Sequence, residues 1–93
     1  MTEAISETPE HRLKRLRMRG WRRGTKEMDL ILGPFCDALL EGRIQCDLDA
    51  LEALMDENDN DLYLWISGAS QGPEPFQAMV DVVRSFHNIS VKR

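Results

Sequence analysis

Most of what marks an enzyme is missing from this chain. It has no phosphate-binding glycine loop and no nucleophile elbow, and its two histidines, His11 and His87, stand near opposite ends in what read as exposed terminal regions. A histidine-dependent mechanism would need both brought together with a third residue, and no catalytic residue is assigned. Cysteine is scarce: Cys36 and Cys46 have no Cys-x-x-Cys spacing and no histidine pair to complete a zinc tetrahedron. Ten positions apart, they could form a disulfide if the backbone allowed it, but both are read as reduced, with Cys36 a small apolar core residue. No run approaches the roughly 18 apolar residues that span a bilayer, which argues against membrane insertion. Alternating strand patterns are also missing beyond a few residues.

One more absence is local. Between residues 11 and 26 there is no acid, only Arg12, Lys14, Arg15, Arg17, Arg19, Arg22, Arg23 and Lys26 among the charged side chains. Residues 1–26 carry a net +5 and residues 27–93 a net −9, giving −4 for the whole. An acidic chain with one basic strip lacks the extended positive surface of a nucleic-acid binder, though such a strip can steer a partner.

What is present suits one small globular domain: 93 residues, 42% hydrophobic and 30% charged. Residues 1–8 read as a flexible N-terminus, 9–87 as a helical domain and 88–93 as a flexible C-terminal tail. Glu3, Glu7 and Glu10 fit neither a secretory signal nor an acid-poor transit peptide, so a cytoplasmic, bacterial protein is expected.

The pattern predicts an all-α, compact single-domain bundle of about five short helices. Thr8-Pro9-Glu10 opens the first with a cap, a proline at its first position and an acid at the positive end of the dipole. It should run to Arg22, with Leu13 and Leu16 inward and the arginines pointing outward or toward a partner. Gly24 follows its end, and Thr25 caps the second helix, whose Met28, Ile31, Leu32, Phe35, Cys36 and Leu39 form an amphipathic stripe. Gly33-Pro34 should kink or break it. After Gly42, Asp47 opens a third helix with Leu48, Leu51, Leu54 and Met55 on one face. Leu62, Tyr63, Trp65 and Ile66 form a fourth, closed by Gly68, with Trp65 a core anchor. Past Gly72-Pro73-Glu74-Pro75, the last helix buries Phe76, Met79, Val80 and Val83, and a loose tail follows Phe86.

Asp56, Asn58 and Asn60 resemble the start of a calcium loop, but Asp61 stands where the turn needs glycine and Ser67 where the bidentate glutamate belongs. No metal site is assigned. The candidate functional segment is instead the helix junction, where Arg22, Arg23, Gly24, Glu27 and Asp29 place both signs of charge around a glycine. Acids in a first helical turn also complement the dipole without any further purpose. Charges of both signs fix orientation on a partner, so this segment reads as an interaction surface.

Arg23-Gly24-x-x-Glu27 with Asp29 resembles the Arg-Gly-x-x-Glu motif of the SdhE-type succinate dehydrogenase assembly factors. The likeness continues through Leu13 to Phe35, through Asp59-x-Asp61-Leu62-Tyr63-x-Trp65 and into the last helix, about residues 11–87. Met18 departs from the pattern where many relatives carry an aromatic residue, and Gly20-Trp21 vary the run before the motif. The resemblance implies a small helical chaperone that binds the flavoprotein subunit of succinate dehydrogenase, and in some bacteria of fumarate reductase. It would promote covalent FAD attachment that the partner itself catalyses. FAD then belongs to the partner and is not held tightly by this chain. The resemblance further implies that Gly24 allows close approach, that Arg23 meets carboxylates or carbonyls, and that Glu27 meets a cation or polar group near the flavin. Two other classes remain open at this point, an antitoxin-like partner of a toxin and a flavin carrier.

Overall fold

Four of the five helices among the described residues begin where a short polar side chain satisfies a free N–H group of the first turn. In the computed structural model, which describes residues 7–88, Thr8 Oγ1 accepts from the His11 N–H at 3.1 Å and starts helix α1, Pro9–Gly20. Thr25 starts α2, Lys26–Leu40; Asp47 starts α3, Leu48–Met55; Asn58 starts α4, Asp59–Ser67. Pro73, which has no capping side chain, precedes α5, Glu74–Phe86. No strand occurs among the described residues, and no helix among them is long and apolar enough to cross a membrane. The expected five-helix, all-α single domain is the observed one.

The core is a single cluster drawn from all five helices: Leu16, then Met28, Leu32, Phe35, Cys36 and Leu39, then Leu51, Leu54 and Met55, then Leu62 and Ile66, then Met79, Val80 and Val83. Each large side chain removed from water contributes about 1.5–3 kcal/mol, set against the entropy of ordering it. Phe35 sits at the centre, fully buried, with Phe86 edge-on at 5.4 Å. Trp65 is half-buried at the margin and stacks on Phe76 at 5.9 Å. Both cysteines are free, and burial pushes the Cys36 thiol up to about 12.

Four expectations need correction. Helix α1 ends at Gly20, not Arg22, because the chain turns there to bring α1 hard against α2. A Cβ on Gly20 would lie 2.9 Å from the Leu32 carbonyl oxygen and 3.1 Å from Cys36 Sγ. Of the kink or break expected at Gly33-Pro34, the break does not occur. Helix α2 runs unbroken to Leu40, since the residues on either side of the proline are buried and packing holds the helix across the missing N–H. Gly33 serves the Trp21 indole, which lies so close that a Cβ would fall 2.3 Å from the ring.

The third correction concerns the chain beyond Phe86. His87 Nε2–H donates to the Ile31 carbonyl at 2.6 Å, and its ring packs edge-on against Phe86 at 4.9 Å. His87 is thus a half-buried clasp between α5 and α2, not an exposed terminal histidine; residues 89–93 of the expected tail lie outside the described residues. The fourth is the basic strip. Among the described residues, most of its arginines pair with acids of the same chain while staying partly exposed.

Candidate docking surface

The acid-free segment and the acid-rich remainder are complementary halves of one fold. Glu52 of α3 collects Arg12 at 3.0 Å and Arg15 at 2.7 Å, with Arg19 at 3.7 Å. Arg12 also reaches Asp49, Arg15 reaches Glu7, and Arg19 reaches Asp56. Hydrogen bonds from Arg15, then Arg12, hold the Glu52 carboxyl below the usual carboxylate range against the opposing effect of burial. Asp37 of α2 pairs with Arg17 and accepts from Trp21 Nε1 at 3.2 Å. Burial pushes its carboxyl up, and these two donors bring it below its ordinary value. Lys14 pairs with Glu10 one turn back. These contacts dock α1 onto α2 and α3, and they consume most of the strip's charge.

Arg23 is the most deeply engaged. Its side chain is 10% exposed, and its guanidinium binds Asp59, itself 16% exposed, at 2.7 Å. It also donates to the Met55 carbonyl and, at 2.9 Å, to the Glu57 carbonyl. One planar fork therefore caps the end of α3 and pins the start of α4, a geometry that lysine's point charge cannot reproduce. The backbone N–H of Arg23 donates to Asp29 Oδ1 at 2.7 Å, so Asp29 closes the turn from inside.

Gly24 stands at the tip of that turn with φ +102°, and a Cβ built on it meets nothing within 4 Å. Glycine suits the left-handed backbone there, and the space over it is open to a partner. Around it, among the described residues, the side chains of Arg22, Lys26 and Glu27 make no hydrogen bond or ion pair. All three are exposed. The five candidate residues do come together, but in two groups: Arg23 and Asp29 are tied into the fold, whereas Arg22, Gly24 and Glu27 face outward.

Two hollows flank the turn. One, about 390 Å³, is lined by Thr25, Glu27, Asp59, Asn60, Tyr63 and Leu64. The other, about 290 Å³, is lined by Met18, Arg19, Arg22 and Arg23. The Arg23–Asp59 ion pair stands between them, one partner on each side. Tyr63 of α4 is 44% exposed, and Leu64 beside it is 43% exposed. Leu62 and Ile66, four apart, define the inward face, and Tyr63 lies about 100° around the helix from Leu62. That spacing was available in the sequence and points Tyr63 outward.

The acid-rich run that resembles a calcium loop is divided among structural duties. Asp56 pairs with Arg19, Asn58 Oδ1 accepts from the Asn60 N–H at 2.8 Å, and Asp59 holds Arg23. Among the described residues, no group of three or more histidine, cysteine, aspartate or glutamate side chains could hold a metal ion.

The family model described as flavinator of succinate dehydrogenase matches residues 14–87. The chain is 32% identical over 73 residues to the FAD assembly factor SdhE of Vibrio cholerae serotype O1, covering 77% of this chain and 84% of that protein. It is 33% identical over 73 residues to the protein of the same name from Aliivibrio fischeri, with the same coverage. It is 37% identical over 60 residues to the mitochondrial succinate dehydrogenase assembly factor 2 of Mycosarcoma maydis, 64% of this chain and 25% of that protein. No solved structure gives a significant match.

Proposed function

The chain belongs to the flavinator-of-succinate-dehydrogenase family, and from that premise we propose that it binds the flavoprotein subunit of succinate dehydrogenase and promotes covalent attachment of FAD to it. The observation that carries this reading is the open Gly24 tip with the exposed side chains of Arg22, Lys26 and Glu27 around it, none of them paired among the described residues. A backbone that bears no side chain and points into empty space lets a partner approach to contact distance. The flanking charges fix its orientation.

The chain acts as a chaperone and not as the catalyst. Binding one conformer of the flavoprotein more tightly than the others raises that conformer's population, and the partner then performs the attachment on its own residues. FAD stays with the partner. The larger hollow beside the junction carries the carboxylates of Glu27 and Asp59, which repel a pyrophosphate, so it is a poor FAD site. Arg23 and Asp29 contribute by holding the turn and α4 in place, and Arg22 and Glu27 by contact.

Covalent flavin tests this directly, read as fluorescence of the denatured flavoprotein in a gel, with no added factor, with this protein and with its Gly24→Arg variant. The substitution places a long side chain over the tip, where its Cβ meets nothing within 4 Å. Strain at positive φ costs it about 1–2 kcal/mol, which the fold should withstand. Flavin should rise with the wild type alone. Equal flavin in all three samples overturns the reading, and the same assay on the fumarate reductase flavoprotein decides whether that enzyme is served as well.

A further inference from the structure

Resting on the docking reading above, we propose that the 390 Å³ groove between the start of α2 and the outer face of α4 receives one arginine or lysine side chain of the flavoprotein subunit. Its charged end would lie on Glu27 and its methylene stem on Tyr63 and Leu64.

Charge selects the occupant. The groove contains two carboxylates, and Arg23 already neutralises Asp59 at 2.7 Å. Among the described residues the Glu27 side chain makes no ion pair or hydrogen bond, so one negative charge there is unanswered. An acidic side chain would be repelled, and a purely apolar one would cover the Glu27 carboxylate without giving it a partner. The helix starts on either side would on their own favour an anion, but both are already capped. Thr25 Oγ1 accepts from the Met28 N–H at 3.3 Å and Asn58 Oδ1 from the Asn60 N–H at 2.8 Å, with acids in both first turns.

The apolar wall selects among cations. Scattered exposed apolar residues are ordinary, but Tyr63 and Leu64 are adjacent and share one concavity with a free carboxylate. Long amphipathic cations lay their stems along such surface and keep the charge at a polar end, and the Tyr63 ring adds a cation–π contact. Thr25 and Glu27 belong to both the junction and the groove, so a partner seated over Gly24 reaches the groove in the same docking event.

The test is titration of the isolated flavoprotein subunit with wild type, Glu27→Gln, Tyr63→Ala and the double variant, with Leu64→Ser as a second change in the wall. Each single change should weaken binding about tenfold, the scale of a moderate interface contact. Because one side chain of the partner touches both residues, the double variant should lose less than the product of the two. Raising the salt should narrow the gap between wild type and Glu27→Gln. Unchanged affinity in the single variants overturns the groove while leaving the docking reading in place. Tighter binding by Glu27→Gln overturns it in favour of an anionic occupant, and strictly multiplicative losses overturn the single side chain. Failure of the wild type to bind at all overturns the docking reading, and this inference with it.

Discussion

Arg22 and Arg23 are neighbours with opposite fates. Arg23 is nearly buried and ties three segments together through Asp59, Met55 and Glu57, whereas Arg22 stands exposed with no side-chain partner among the described residues. The contrast teaches that two adjacent arginines at one junction can divide, one building the turn and the other, in the proposed docking, left to touch the partner. Arg23→Ala should break the building half. It strands the Asp59 carboxylate and removes the donor from two carbonyls at the end of α3, at a cost of about 3 kcal/mol. For a domain of this size that lowers the melting temperature by more than about 10 °C in a thermal scan. A variant that melts within about 2 °C of the wild type would remove Arg23 from the frame, on that same scale.

A similar division governs how much could be read in advance. Local chemistry was legible: Thr8, Thr25 and Asp47 cap where short polar residues precede apolar stripes, and Gly68 ends α4. Most of the inward faces followed from steps of three and four. What escaped depends on residues distant in the chain. Arg15 meets Glu52 across 37 positions and His87 meets Ile31 across 56, and no periodicity encodes either contact. Pro34 argued for a break on local grounds, and the core on both sides of it overrode that preference. At the candidate surface, Gly24 and Glu27 stand out in the sequence as members of the motif, whereas the groove that Glu27 shares with Tyr63 and Leu64 joins two helices distant in the chain and carries no local signal.

The α1–α3 contact sharpens the comparison at intermediate strength, since it rests on partly exposed charges where the Arg23 frame rests on nearly buried ones. Glu52 has its folded-state pKa held down by Arg15 and Arg12, so its contribution to stability is fully present above the ordinary glutamate pKa. It is lost as pH falls through the depressed folded value. Partly exposed pairs are screened, and together they contribute on the order of 1 kcal/mol. Melting scans from pH 7 down to pH 3 should show a decline beginning below about pH 5 that Glu52→Gln flattens, because the substitution removes one titrating group from the folded state. The same scans in high salt should lower the wild type toward the variant. A Glu52→Gln protein with the wild-type acid limb would mean that other carboxylates carry the pH dependence.

Arg22→Glu tests the touching half, and its effect on the fold should be the smallest of all. The side chain has no partner among the described residues, so removing it strands none of them, and stability should stay within about 0.5 kcal/mol of the wild type. Its effect belongs to association. A free cation at the rim of an interface acts chiefly on the rate of encounter, so reversing it should slow binding to the flavoprotein and alter the salt dependence of that rate while leaving dissociation nearly unchanged. Stopped-flow association at two ionic strengths reads both quantities. If Arg22→Glu instead melts early, as Arg23→Ala should, the two arginines share one structural role. The outward face of the junction would then begin at Gly24.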